Sequence, residues 1–266
     1  MKSFLFCTMY IQESRRDLDA RRLEQWLEYY LPRKDTLVIT NIFLIDDGSS
    51  LDEVYKLKYK LLVFNADLPL PEKLPGNEEI VVFRFSNHLG RISNEKFPGW
   101  RRSFSFSSQI AHKYSFEKII HCESDAIICR ARMFRYINSL NRGWTTFWVP
   151  FYSFPETAIQ VICKDSISQL EHLFKDQAWF YSDVLTEYIL PFSSVDKGFI
   201  GDRYGEYRAS YPVYADYVCQ KKLQMKRSII PSSFMRVYWE RAFLKRRAFL
   251  IKITQQYLSN FFKTMK

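Results

Sequence analysis

Lys118-Ile-Ile-His-Cys-Glu-Ser-Asp-Ala-Ile-Ile-Cys129 is the stretch around which the rest of the chain is read. Two apolar pairs, Ile119-Ile120 and Ile127-Ile128, bracket a polar centre in which Glu123 and Asp125 stand two apart across the small Ser124. A short apolar run of this kind reads as a strand buried on both faces, as in a mostly parallel sheet. Two carboxylates at the exit of such a strand need a cation or hydrogen-bond donors to stay ionised. Hard oxygen donors suit Mg²⁺ or Mn²⁺. The plain alternative is a strand end carrying two solvated acids.

The segments upstream repeat the pattern. Residues 3–10 read as a first strand and Asp17–Leu31 as a helix with an apolar stripe of Leu18, Leu23, Trp26, Leu27 and Tyr30. Asn41-Ile-Phe-Leu-Ile45 is a second strand running into Asp46-Asp47-Gly48-Ser49-Ser50, and Ser50 with Glu53 reads as a capping box. Residues 65–79 read as a loop and Glu79–Phe85 as a third strand, whose exit carries Ser86-Asn87-His88-Leu89-Gly90-Arg91. A helix from Trp100 to Tyr114 then precedes the Glu123–Asp125 strand. Alternating strands and helices predict an α/β fold with a mostly parallel sheet flanked by helices, whose ligands bind beyond the carboxyl ends of the strands.

Further on, Ala131–Leu140 reads as a helix, and Gly143–Pro150 and Thr157–Cys163 as two strands, antiparallel to each other. Asp165–Phe174 reads as a helix capped by Asp165. Ser182–Glu187 opens a short helix, and Lys197–Arg208 is a loop dense in glycine and charge. Trp179, Phe180 and Tyr181 offer flat faces for a sugar, or simply core. The tail differs. Residues 236–266 carry Arg236, Arg241, Lys245, Arg246, Arg247, Lys252, Lys263 and Lys266 against the single acid Glu240, with apolar pairs seven apart. It reads as a basic amphipathic helix, lying on an anionic membrane surface or packed on the domain.

Bulk composition narrows the class. At 266 residues with 47% hydrophobic content, the chain can bury a large core, and 17 Tyr and 23 Phe make it rich in aromatics. A formal charge of +10 suits a polyanionic partner: nucleic acid, an anionic membrane or a phosphorylated substrate. Five scattered cysteines fit neither a zinc site nor a disulfide framework and read as reduced, buried thiols. Residues 1–10 read as a strand rather than a leader peptide, and no run reaches the length of a membrane span. The expectation is a cytoplasmic protein, soluble or peripheral at the inner face of the membrane.

In order, these pieces are strand, Ile-Asp-Asp-Gly-Ser, strand, Asn-His-Leu-Gly-Arg, helix, strand, Glu-Ser-Asp. Over about residues 1–220 the chain thereby resembles the GT-A class of nucleotide-sugar glycosyltransferases, and more narrowly bacterial enzymes of lipopolysaccharide or surface-polysaccharide assembly. The resemblance rests on Ile45–Ser49 and on Glu123-Ser124-Asp125 at the place of the family's D-x-D motif, with Glu where that motif has its first Asp. It implies a GT-A-like catalytic domain over 1–220, with a nucleotide-binding half at 1–125 and an acceptor half at 126–220, followed by the tail at 221–266.

The resemblance also implies roles. Asp46 and Asp47 would contact the uracil or ribose of a UDP-sugar. Asp125 would bind Mn²⁺ or Mg²⁺ on the diphosphate, with Glu123 and Ser124 beside the ribose or metal. Arg91, Arg101 and Arg102 lie between the acid motifs, and a guanidinium pairs bidentately with phosphate. If the reaction inverts the sugar, Asp183 or Glu187 is the base for the acceptor hydroxyl. If it retains, Asp202 and Arg203 would close over the donor. The acceptor would be a glycan or a lipid-linked glycan. A metal-dependent nuclease or nucleotidyltransferase, and a non-catalytic module binding membrane or nucleic acid, are the rival readings.

Overall fold

The structure is a computed structural model that describes residues 1–76 and 79–228. The predicted tail helix, 236–266, lies outside the described residues. In chain order the first half comprises β1 (Ser3–Met9), α1 (Arg16–Tyr30), α2 (Lys34–Leu37), β2 (Asn41–Asp46), α3 (Leu51–Tyr55), β3 (Leu61–Asn65), β4 (Ile80–Arg84), α4 (Pro98–Lys113) and β5 (Lys118–Cys122). Then come β6 (Ile127–Ile128), α5 (Ala131–Ser139), β7 (Trp144–Val149), β8 (Phe154–Cys163), α6 (Lys164–Lys175), α7 (Gln177–Phe180) and α8 (Thr186–Ile189). The last elements are short: β9 (Ser194–Asp196), β10 (Gly201–Asp202), α9 (Tyr204–Tyr207), β11 (Ser210–Pro212), β12 (Tyr217–Val218) and β13 (Lys226–Ser228).

Eight strands form one sheet in the order β3-β4-β2-β1-β5-β8-β7-β9, and only β8 runs against the others. This is the mostly parallel α/β sheet flanked by helices that the apolar runs predict. Every residue of β1, β2 and β5 is buried, because helices cover both faces. Alternation along β1 divides the core in two. Leu5, Cys7 and Met9 meet Leu23, Trp26, Leu27 and Tyr30 of α1 on one face. On the other, Phe4 and Phe6 join Phe43, Phe83, Phe104 and Phe116 in an aromatic layer under α4. Phe4 packs edge-on to Phe43 and Phe116, with centroids 5.0 and 4.8 Å apart. Each buried Phe contributes about 1.5–3 kcal/mol.

After β1 the chain passes outward to β2 on one side and later to β5 on the other. The carboxyl ends of β1 and β5 therefore flank a topological switch point, where such sheets open a crevice. Tyr29 and Tyr30 of α1 pin the segment just beyond β5: Tyr29 Oη donates to Ile128 O, and Ile128 N donates to Tyr30 Oη at 3.1 Å.

Four local expectations are corrected. Ser50 precedes α3 without a side-chain cap bond, because Glu53 pairs instead with Lys56 and Arg16. Asp165 does not cap α6; its carboxylate accepts from Gly143 N at 2.7 Å. Leu18 of the α1 stripe faces solvent. A fourth parallel strand, β3, precedes the 65–79 loop. The five cysteines are free, and four are buried. Among the described residues no helix is long and apolar enough to cross a membrane.

Candidate active site

The loops after β1, β2 and β4 meet the first turn of α4 around a cleft of about 600 Å³. Thr8, Tyr10, Asp47, His88, Arg91 and Trp100 are among its walls. The rings of Tyr10 and His88 stack at 3.6 Å and 15°, making a flat, half-open platform on one side.

Glu123, Ser124 and Asp125 form a tight turn beyond β5, closed by Ala126 N donating to Glu123 O at 2.9 Å. The two carboxylates have different surroundings. Glu123 receives the Thr8 hydroxyl at 3.1 and 2.9 Å and the Trp100 indole N–H, and Nε2 of the buried His121 comes to 3.1 Å. Asp125 is only partly buried, and no hydrogen bond or ion pair reaches its carboxylate among the described residues. Burial pushes its pKa up to about 7, and Glu123 and Glu156 add to the rise, while Arg22 and Arg203 oppose it. A carboxylate so placed is short of positive charge.

A second network near Asp125 centres on Arg203. Arg203 bridges Glu156, at 3.2 Å from Nε, and Glu187, at 2.7 Å from Nη2. Glu156 is buried and also accepts from the backbone N of Thr157 and Ala158, both at 2.9 Å. Glu187 uses only Oε1 for Arg203 and for Thr157, so its second oxygen has no partner among the described residues. Asp202 is pushed up to about 6, chiefly by burial, although it accepts from Arg203 N at 2.8 Å.

The remaining expected site residues divide sharply. Asp46 is fully buried and spent on its own turn, accepting from Ser49 N at 2.9 Å and Ser49 Oγ at 2.5 Å. Burial raises its pKa to about 7 against those donors and Arg84. Asp47 anchors the neighbouring loop: it accepts from Gly90 N at 2.8 Å, touches His88 Nδ1 at 2.9 Å and pairs with Arg102. Gly48, at φ +90°, lets the turn lie against the Asn87–His88 backbone, where a Cβ would come within 2.7 Å.

The arginine expectation is corrected for Arg101. Its side chain is wholly buried and donates to the carbonyls of Glu95, Trp179, Ser182 and Val184 and to Thr186 Oγ1, so it clamps the 179–186 segment and cannot reach a diphosphate. Arg102 lies over the Phe85 ring at 3.9 Å and is held by Asp47 and Asn87 O. Arg91 is exposed at the cleft wall, over the Phe97 ring at 4.7 Å. Asp183 stands in solvent, paired with Lys96 at 2.8 Å, whereas Glu187 belongs to the Arg203 network beside Asp125. Trp179 and Phe180 are core, and only Tyr181 is exposed.

Sequence reasoning missed Thr8, Trp100 and Glu156. Thr8 and Trp100 carry no motif of their own. Glu156 was hidden because β8 begins at Phe154, before the apolar run that signals it.

Among the described residues no group of three His, Cys, Asp or Glu side chains converges to hold a metal ion. Mg²⁺-type ions are commonly held by one or two carboxylates plus substrate phosphates, and the free oxygens of Asp125 fit that arrangement.

No protein-family model matches the chain, and no curated protein matches it. Several solved structures are similar to it at low identity. A glycosyltransferase involved in glycosylation of the major capsid of PBCV-1 is 13% identical, with a TM-score of 0.40, over 82% of this chain and 92% of that one. A cytidylyltransferase from Leptospira borgpetersenii is 14% identical, with a TM-score of 0.40, over 73% and 75%. A mannosyltransferase from Pyrobaculum calidifontis, in complex with GDP-Man and Mn²⁺, is 10% identical, with a TM-score of 0.39, over 73% of this chain and 56% of that one. The functional assignment therefore rests on the residues of the cleft.

Proposed function

We propose that the chain is a metal-assisted glycosyltransferase of the GT-A class. It moves a sugar from a UDP-sugar to a glycan or lipid-linked glycan in lipopolysaccharide or surface-polysaccharide assembly. The observation that carries this is Asp125: a partly buried carboxylate without a paired cation, at the switch point of a mostly parallel sheet, two residues from Glu123, which Thr8 and Trp100 of the cleft wall hold. Asp125 would hold the Mn²⁺ or Mg²⁺. The ion supplies charge neutralisation for the diphosphate leaving group.

The stacked Tyr10–His88 pair offers the nucleobase a flat face. Glu123, fixed by Thr8 and Trp100, presents its carboxylate edge near the ribose. Arg91, exposed at the cleft wall and donating to Ser93 O and Asn94 Oδ1, is the arginine placed to meet the diphosphate. Asp46 and Asp47 act through the loops they hold, and Arg102 through Asp47.

In an inverting transfer, the bond from the acceptor oxygen to the sugar carbon forms as the carbon–phosphate oxygen bond breaks. The electron pair leaves with UDP, and the hydroxyl proton passes to the free oxygen of Glu187. Arg203 orients that carboxylate. Asp183, out in solvent, is set aside as the base. The basic tail would bring the chain to the inner face of an anionic membrane.

The test is a panel of UDP-sugars incubated with Mn²⁺, reading UDP released. One of them should be cleaved, and Glu187→Gln should slow acceptor-dependent transfer by about 10²–10⁴-fold. Pyrophosphate formed from UTP and a sugar phosphate, without UDP release, would favour a nucleotidyltransferase instead.

A further inference from the structure

A second cavity, of about 360 Å³, lies between α1 and the segments that carry β6, β11 and residues 221–223. It falls at the small end of the range for small-molecule sites, about 300–1,000 Å³. Its charged walls are Arg22, Arg33 and Lys221 against one acid, Glu28. Glu28 is already neutralised by Lys58. The cavity walls therefore carry an excess of positive charge, although Arg22 also acts on the nearby Asp125.

Three details show that these cations are not ordinary solvated side chains. Arg22 Nε is buried with no hydrogen-bond partner, and no ion pair reaches Arg22 among the described residues. Arg33 is fixed by donating to Tyr29 O and by lying 3.9 Å over the Tyr29 ring. Lys221 is half-buried, and its ammonium donates to Lys222 O at 3.3 Å. Tyr29 and Tyr211 add aromatic faces, which suit the apolar face of a sugar ring.

The cavity adjoins the candidate active site. A small pocket bounded by Thr8, Tyr10, Arg22 and Ser124 lies between them, sharing Arg22 and Ser124 with the cationic cavity and Thr8 and Tyr10 with the main cleft. Lys221 N also donates to Asp125 O at 2.7 Å, tying this wall to the Glu123–Asp125 turn.

We propose that this cavity binds an anionic monosaccharide unit of the acceptor, a sugar carrying a phosphate or a carboxylate, with Arg22, Arg33 and Lys221 holding the oxyanion. The cavity as an anionic-sugar site stands on its own geometry; its assignment to the acceptor rests on the transferase reading above.

The test is calorimetric titration of the full chain with glucose 6-phosphate, glucuronate, glucose and inorganic phosphate. It is run on wild type, on Arg33→Gln/Lys221→Gln, and on the charge-preserving Arg33→Lys/Lys221→Arg, with UDP titrated into each. One or both anionic sugars should bind at least about tenfold more tightly than glucose or phosphate; which one binds identifies the source of the oxyanion. The Gln pair should lose about tenfold or more, the charge-preserving pair should retain binding, and UDP affinity should stay within about twofold. Equal binding of glucose and the anionic sugars, phosphate binding as tightly as both, no sugar binding at millimolar concentration, or an unaffected Gln pair would each overturn the proposal. Anionic-sugar binding without UDP binding would sink the donor reading and leave this site standing.

Discussion

The Thr8 hydroxyl at the end of β1 donates to both carboxylate oxygens of Glu123 beyond β5, at 3.1 and 2.9 Å. The bond spans the switch point of the sheet and fixes one wall of the cleft. Thr8→Val leaves Glu123 with the Trp100 indole as its one side-chain hydrogen-bond donor among the described residues. Metal-dependent UDP affinity should then fall by about 10- to 100-fold, the usual effect of losing an orienting contact, while Thr8→Ser keeps it. Titration of UDP into both variants checks this, and equal affinity in Thr8→Val and wild type would remove Glu123 from the donor site.

Arg101 holds the 179–186 segment rather than a ligand. Replacing it with Met leaves four carbonyls without their donor, at about 1–3 kcal/mol for each that stays buried. Arg101→Met should lower stability by at least about 3 kcal/mol, read as a fall in the denaturant midpoint. UDP affinity per folded molecule should be unchanged; a selective loss of UDP binding with intact stability would return Arg101 to the phosphate site.

Gly99 opens the first turn of α4 directly under Asp47. A Cβ there would come within 1.9 Å of Asp47 Oδ2 and 2.8 Å of Gly90 N. Asp47 cannot step aside cheaply, because Gly90, His88 and Arg102 hold it. Gly99→Ala should therefore cost about 1–3 kcal/mol and loosen the His88 platform, despite alanine's better helix propensity. Chemical denaturation that finds the variant as stable as wild type would contradict this packing.

Asp46 makes stability depend on pH. Its folded pKa is near 7, against an ordinary value of 3.8, so between those values the folded chain keeps a proton that the unfolded chain has released. Its stabilisation is complete below the unfolded value and is lost as pH rises through about 7. Asp125 and Asp202 shift in the same direction. In metal-free buffer the melting temperature should fall between about pH 4 and about pH 7, and Asp46→Asn should flatten part of that slope. An unchanged slope in the variant would mean that Asp46 is ionised throughout.

What the sequence made legible follows from how each signal arises. β1, β2 and β5 are buried on both faces, so their apolar runs stand out, and the order of strands and helices follows from them. β3 is a half-buried edge strand after Lys56–Lys60 and lacks that contrast. Asp46, Asp47 and Asp125 look alike as letters. They differ through their partners: Ser49 for the first, Gly90 and Arg102 for the second, no paired side chain for the third. Arg101 and Arg102 are neighbours whose side chains leave α4 about 100° apart, one into the interior and one onto Phe85. Choosing between Asp183 and Glu187 required the position of Arg203, sixteen residues beyond Glu187, which only the fold supplies.

The central claim is that Asp125 holds a divalent cation against a nucleoside diphosphate. The most direct measurement is calorimetric titration of UDP with and without Mn²⁺, on wild type and on Asp125→Asn. Metal-dependent binding in the wild type that disappears in the variant, with both proteins folded by circular dichroism, is the predicted result. UDP binding that ignores Mn²⁺ or survives in Asp125→Asn, or no UDP binding by the folded wild type, would contradict it.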